Sequence, residues 1–142
     1  MNRAIKSVAL TAILILSMSA ATATQVAFGT VTANVDPTAT FFGGTLLDSA
    51  VTPINNSSYT GTARSAVYDT GSGLDFYYQF SNDSSSKNGI ERFTGYDFSS
   101  LGASVVDVFQ TASAFGIFTA GTEFSDTADR TALGVIGFNF VP

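Results

Sequence analysis

The sequence predicts an all-β protein: an antiparallel β-sandwich (jelly-roll or immunoglobulin-like) of six to eight short strands, preceded by an N-terminal signal helix. Short segments rich in Val, Thr, Tyr and Phe alternate with loops of Gly, Ser and Asn along the chain, which is typical of sandwiches. Aromatic residues make up 13% of the sequence, a share that disordered tails do not carry. A length of 142 residues suits one domain with a core of its own.

The N-terminus has the pattern of a cleaved secretory signal. Arg3 and Lys6 precede the apolar stretch Val8–Leu16, which is too short to cross a bilayer about 30 Å thick as a permanent helix. Ala21 and Ala23 supply the small residues at positions −3 and −1 of a signal-peptidase site. The protein is therefore expected to be exported, and cleavage is expected near Ala23.

Cleavage there divides the chain into a signal peptide, residues 1–23, and a single β-sandwich domain, residues 24–142. It removes two basic residues and changes the formal net charge from −5 to −7. So acidic a surface repels phosphate backbones, and we expect no nucleic-acid partner. We also expect no transmembrane segment in the mature chain as given.

The sequence predicts a β-hairpin over residues 59–81. In Leu74–Ser81 apolar and polar residues alternate with period two, and Tyr59–Tyr68 is rich in residues that suit a pleated surface. The connection Asp69–Gly73 carries Gly71 and Gly73, which permit the positive φ angles of a tight turn.

Further strands are predicted on both sides of this hairpin. The last of them is apolar on both faces, as a central strand would be, and its Gly134 and Gly137 mark a bulge or close packing. The segment 100–114 also has some helical spacing, but adjacent valines favour a strand within it. These strands are Gln25–Ala33, Phe41–Leu47, Ile90–Phe98, Val105–Thr111 and Leu133–Val141.

The composition excludes several kinds of chemistry. The chain has no His and no Cys, which rules out a Ser-His-Asp triad, a thiol nucleophile, disulfides and Cys-ligated zinc. Asp75, Glu91, Asp97 and Asp107 could supply a glycosidase pair, but so could the acids of any protein with eleven of them. No enzyme is predicted.

The hairpin turn offers one candidate metal site. Asp69 and Asp75 place two carboxylates around a Gly-containing loop, and oxygen ligands of this kind suit Ca²⁺. No other cofactor is predicted. The favoured alternative is a turn in which the carboxylate of Asp69 caps its own backbone.

A candidate ligand-binding face lies at the end of the same hairpin. Tyr77 and Gln79 occupy the polar, outward-facing side of the predicted strand, and Asn82 and Asp83 begin the polar loop behind it. The alternatives are an ordinary cross-strand aromatic contact and a solvated connection.

The segment Asp126–Arg130 is interpreted as a surface turn with a local ion pair.

The order of several segments resembles exported bacterial proteins of the PEP-CTERM class. The resemblance covers roughly residues 45 to 142 and is most specific at Tyr59–Tyr68 and Leu74–Asn82, followed by Asp129–Arg130 and Val135–Phe140. It implies a β-rich surface or exopolysaccharide-associated protein of a Gram-negative bacterium, with no catalytic residues to carry over. Such proteins continue into a Pro-Glu-Pro signal, an apolar helix and a basic cluster. We expect this chain to be a fragment of such a protein, the alternative being a secreted relative without the anchor.

These observations predict a non-enzymatic exported protein of the cell surface or extracellular matrix, including biofilm matrix. Its expected partners are extracellular polysaccharide or cell-surface proteins, and the periplasm is the alternative location. Two other functions remain open. One is a carbohydrate-binding module, and the other is a subunit of a surface filament that accepts a strand from its neighbour.

Overall fold

The structure is a computed structural model that describes residues 23–33, 35, 41, 43–98, 100, 102 and 105–140. The described residues form antiparallel strands and no helix, which confirms the predicted all-β class. Apart from Ala23, the predicted signal segment lies outside the described residues. None of the described part is a helix long and apolar enough to cross a membrane. The strands of the described residues are β1 (Thr24–Ala27), β2 (Thr30–Ala33), β3 (Thr45–Asn55), β4 (Thr60–Asp69), β5 (Leu74–Asn82), β6 (Arg92–Asp97), β7 (Val105–Val108), β8 (Thr127–Arg130) and β9 (Val135–Asn139).

β1 and β2 divide the segment for which the sequence predicted one strand. Gly29 lies between them with a φ of 68°, a left-handed conformation that glycine adopts without steric cost. The Oγ1 of Thr30 donates a hydrogen bond to the carbonyl oxygen of Ala27 (2.7 Å) and so closes the turn. The chain changes sheets at this turn, because β1 pairs with β7 whereas β2 pairs with β8.

β3, β4 and β5 form a three-stranded antiparallel sheet with β4 in the middle. The predicted hairpin between β4 and β5 is confirmed, with Asp69 opposite Leu74 at its end and Gly71 at a φ of 79° in its turn. β3 begins later than predicted, at Thr45, and continues to Asn55 along the outer edge of the sheet.

The second large sheet has the order β2-β8-β9-β6, with antiparallel neighbours throughout. β9 lies inside this sheet, as its two-sided apolar pattern predicts. The predicted surface turn at Asp126–Arg130 is wrong, because most of that segment is β8, paired on both sides. Ala128 is fully buried, and only 1% of the Arg130 surface is exposed. Pairing with two neighbours satisfies the backbone of a segment whose residue types do not themselves favour a strand.

Buried side chains collect in two clusters. The first lies among β1, β7, β8 and β9 and includes Val26, Val108 and Ile136. The second is mainly aromatic and lies on β4 and β5. The ring of Phe76 in β5 contacts that of Phe98 just after β6, with centroids 4.9 Å apart. The core of the first cluster therefore extends to the three-stranded sheet.

Candidate functional site

Tyr77 is buried, with 6% of its surface exposed, so the prediction that it faces outward is wrong. Its ring centroid lies 5.4 Å from that of Phe109, 4.9 Å from that of Phe115 and 5.7 Å from that of Tyr68. The chain that follows β7 folds back over this face of β5 and supplies the covering rings. Buried aromatic rings in such edge-on contact stabilise a fold through their large apolar area, and Tyr77 has little ring surface left for a ligand.

The polar end of Tyr77, its hydroxyl, has a hydrogen-bond partner inside this cluster. It donates a hydrogen bond to Oδ2 of Asp75, at 3.2 Å. Burial raises the pKa of the Asp75 carboxyl above its ordinary value of 3.8, and the hydrogen bond from Tyr77 partly opposes that shift. The folded protein therefore holds the Asp75 proton to higher pH than an exposed aspartate does.

Gln79, the second predicted ligand residue, holds a loop of its own chain. Its Nε2 donates to the carbonyl oxygen of Thr119 (2.7 Å), and its Oε1 accepts from the N–H (3.1 Å) and the Oγ1 (3.3 Å) of the same residue. Gln110 repeats the arrangement with Ser125, accepting from its N–H (2.7 Å) and donating to its carbonyl oxygen (2.9 Å). Each side-chain amide thus makes the pair of hydrogen bonds that the backbone of a neighbouring strand would otherwise make. The two together fasten the long connection between β7 and β8.

Asn82 and Asp83 belong to a loop that is hydrogen-bonded onto the start of β4. Asn82 Nδ2 donates to the carbonyl oxygen of Asn88 (3.2 Å), and the Asp83 N–H donates to that of Thr60 (2.9 Å). Asn82 is five residues along β5 from Tyr77, which is roughly 17 Å at strand spacing. The structure therefore does not gather the predicted ligand residues into one site.

Asp69 and Asp75, the predicted calcium pair, lie on opposite faces of the hairpin. Asp69 is opposite Leu74 and Asp75 is opposite Tyr68, and successive residues of a strand point to opposite sides. Oδ1 of Asp69 accepts a hydrogen bond from the Gly71 N–H (2.7 Å), which confirms the turn-capping alternative. Within the described ranges, no three His, Cys, Asp or Glu side chains are grouped so that they could hold a metal ion.

A polar network on the second large sheet was not predicted. Arg92 of β6 reaches across β9 to Asp129 of β8, with Nη1–Oδ2 at 2.8 Å and Nη2–Oδ1 at 2.7 Å. Gly137 lies beneath the guanidinium, and a Cβ at that position would collide with Arg92. The predicted close packing at Gly137 is confirmed, and this glycine was the one signal of the network in the sequence. Arg92 and Asp129 are 37 residues apart in the sequence. No pattern of neighbouring residues could therefore have predicted that they pair.

An open groove of about 420 Å³ lies between the three-stranded sheet and β6; we call it the Tyr78 groove. Tyr78 belongs to the face of β5 that was predicted to be apolar, yet 37% of its surface is exposed. Its ring centroid lies 5.2 Å from that of Phe93, which in turn lies 4.6 Å from that of Phe80. Small residues form the other side. The groove is lined by Thr52, Ala63, Arg64, Ser65, Phe80, Thr94 and Gly95 together with Tyr78 and Phe93.

Comparison of the chain with protein families, with curated proteins and with solved structures finds no match in any of the three. The resemblance to PEP-CTERM proteins therefore stays a prediction from the residues. Since an all-β fold is shared by many unrelated activities, the function has to be argued from the chemistry of the sites.

Proposed function

We propose that this chain is an exported, non-enzymatic β-sandwich protein of the cell surface or extracellular matrix, with the exopolysaccharide-associated role that its resemblance implies. The observation that carries the proposal is the order of basic, apolar and small residues that ends at Ala23. β1 begins at Thr24, so cleavage after Ala23 leaves every described strand whole.

Contacts between the two larger sheets support the sandwich arrangement. Phe93 of β6 packs against Tyr78 and Phe80 of β5, and side chains of facing sheets interdigitate in this way in a sandwich. Phe93 also lies 6.3 Å from Phe138 of β9 in a stacked orientation. Aromatic packing of this kind stabilises an exported domain that has no cysteine for disulfides.

Three of the polar side chains that were candidates for chemistry are engaged in holding the fold. Gln79 fastens Thr119, Asp69 caps its own turn, and Asp75 accepts the hydrogen bond of Tyr77. A general acid and base need carboxyl groups that face a common cleft. Side chains engaged within the fold favour a scaffold over a catalyst.

The test is the fate of the full chain in fractionated Gram-negative cells. We expect an exported product whose N-terminal sequence begins at Thr24, and protease added to intact cells separates surface display from a periplasmic location. Leu14→Arg interrupts the apolar stretch and should leave uncleaved protein in the cytoplasm, whereas Leu14→Ile should not. Wild-type chain that stays uncleaved in the cytoplasm would contradict the proposal.

The exposed edge of β3 supports a second candidate, a filament subunit that pairs with a strand of its neighbour. β3 is an outer strand, and its residues from Thr45 to Pro53 are all exposed. Free edges of this length accept further strands. The register is irregular between Leu46 and Asp48, and Pro53 has no N–H to donate, so pairing would centre on Ser49–Thr52.

Light scattering after size-exclusion chromatography tests the second candidate. We expect concentrated wild-type protein to form oligomers, and Val51→Lys, which places a charge on the edge, to return it to monomer. Ser72→Lys, in the exposed hairpin turn, is the matched control and should leave the oligomers intact. A wild-type protein that stays monomeric at every concentration rules this candidate out.

A further inference from the structure

We propose that the Tyr78 groove is a binding site for a neutral saccharide chain. The proposal concerns residues other than the predicted ligand face, since Tyr77 and Gln79 are engaged in the fold. The saccharide proposal does not depend on where the protein resides. An experiment can therefore contradict it without contradicting the proposed export, and the reverse is also true.

The aromatic side of the groove supplies a surface on which a sugar ring can stack. Tyr78 has 37% of its surface exposed, and its ring contacts that of Phe93, which in turn packs against Phe80. The C–H groups of a pyranose form apolar patches that match the face of an aromatic ring, and a tyrosine adds a hydroxyl for hydrogen bonding. A ring packed against a neighbouring ring has less freedom to lose when the ligand arrives, which lowers the entropic cost of binding.

The register of the three-stranded sheet leaves room beside these rings. Ser65 is directly opposite Tyr78, and Ala63 is opposite Phe80, so small side chains share a face with the rings. Thr52 on β3 is opposite Ala63 in turn. These small side chains form the floor of the groove and leave space beside the rings. The hydroxyls of Thr52 and Ser65 can each donate and accept hydrogen bonds there.

The charge of the groove favours a neutral ligand. Among the described residues that line it, Arg64 is the one that carries a charge. The register places Arg64 opposite Gln79, on the other face of the sheet from Tyr78, and its Nη1 donates to Oγ of Ser81 at 2.8 Å. The groove thus offers aromatic and hydroxyl groups but no countercharge for a carboxylate or a phosphate, which would lose water without compensation there.

The size and openness of the groove favour a segment of a chain over a free monosaccharide. A volume of about 420 Å³ lies within the usual range for small-molecule sites, about 300–1,000 Å³. Because the groove is open to solvent, part of a bound saccharide can extend out of it.

The test is calorimetric titration of the purified full chain with four probes. Three are neutral hexasaccharides (cellohexaose, laminarihexaose and mannohexaose), and one is an acidic hexagalacturonate. We expect saturable binding of at least one neutral probe. Amide chemical shifts in the wild-type protein should then change at Ser65, Tyr78 and Gly95, a measurement that needs no variant.

Two variants locate the bound sugar. Tyr78→Ala removes the stacking surface, and Ser65→Phe fills the floor while keeping every ring of the groove; each should weaken binding by about tenfold or more. Phe124→Ala is the matched control, because Phe124 is comparably exposed at 36% and does not line the groove. It should change the affinity by less than about twofold. Circular dichroism checks that each variant is folded.

Three results would overturn the proposal. The first is that none of the neutral probes shows saturable binding at millimolar concentration. The second is binding of a neutral probe that folded Tyr78→Ala and Ser65→Phe leave unchanged. The third is binding of the acidic probe alone, since that would show a charge preference the groove does not explain.

Discussion

Replacing Gly137 with alanine tests whether Arg92 needs the bare backbone of β9 beneath its guanidinium. The added Cβ would overlap the guanidinium and lie 2.7 Å from Oδ1 of Asp129, closer than folded proteins permit. The side chain of Arg92 is long and 38% exposed. We therefore expect it to swing into water while the backbone of the sheet stays in place.

The size of the effect follows from two opposing contributions. Loss of the two-point pair with Asp129, whose side chain is only 18% exposed, should cost about 1–2 kcal/mol. Alanine is better than glycine inside a strand by roughly 0.5–1 kcal/mol. The net destabilisation by Gly137→Ala is then about 0–1.5 kcal/mol, which is too small to be decisive by itself.

The decisive measurement is a double-mutant cycle with Arg92→Ala. In that background no guanidinium is displaced, and the carboxylate of Asp129, without its Arg92 partner, can turn away from the new Cβ. Gly137→Ala should then raise the free energy of unfolding by up to about 0.5–1 kcal/mol. Urea unfolding of the four proteins at one ionic strength gives the coupling directly. The control is Gly95→Ala, where the new Cβ meets no atom closer than 3.7 Å. If Gly137→Ala has the same effect with and without Arg92, the reasoning is refuted.

Three further predictions concern the cluster around β5. Tyr77→Ala should lower the free energy of unfolding by about 3–5 kcal/mol in urea titrations, because it leaves a cavity among the rings; a loss below about 1 kcal/mol would show that the ring is not packed. Gln79→Ala should speed amide exchange at Thr119, since its N–H loses its acceptor, while Gln25→Ala, at an exposed position of β1, should not; equal protection in the two variants would contradict the role of Gln79 in holding Thr119. Asp75→Asn should raise the urea midpoint at neutral pH. The raised pKa means that the folded state holds the Asp75 proton more tightly, so wild-type stability falls as pH rises from 3.8 through the folded pKa. The advantage of the variant should therefore disappear in acid, and an advantage independent of pH would contradict the assignment.

The alternation of residues in β5 shows what a local sequence pattern can and cannot predict. Period two identified the strand and its two faces, but it could not decide which face is covered. Tyr77 is 6% exposed, whereas Tyr78 on the supposed inner face is 37% exposed and Leu74 is 47% exposed. The reason is that the chain after β7 brings Phe115 onto the Tyr77 face. Such a contact between distant segments has no counterpart in the spacing of either one.

β8 shows the opposite limit, because its local pattern was misleading. Three charged residues in a short polar segment predicted a surface turn, yet most of the segment is paired on both sides. Asp129 is neutralised by Arg92 from another strand, and the guanidinium of Arg130 lies 3.7 Å from the ring centroid of Phe28. Charged side chains can enter a sheet when partners elsewhere in the chain compensate them.

The sequence by itself determined the all-β class, the hairpin with its capped turn and the interior position of β9, and at Gly137 it indicated a bulge or close packing. Each follows from properties that a few consecutive residues carry, such as side-chain period, turn chemistry and the lack of a Cβ. Only the tertiary structure decided that Tyr77 is buried, that Gln79 holds a loop, and that an open groove lies beside Tyr78. Those features depend on which distant segments pack together, because burial is a property of the neighbours that a side chain meets in space.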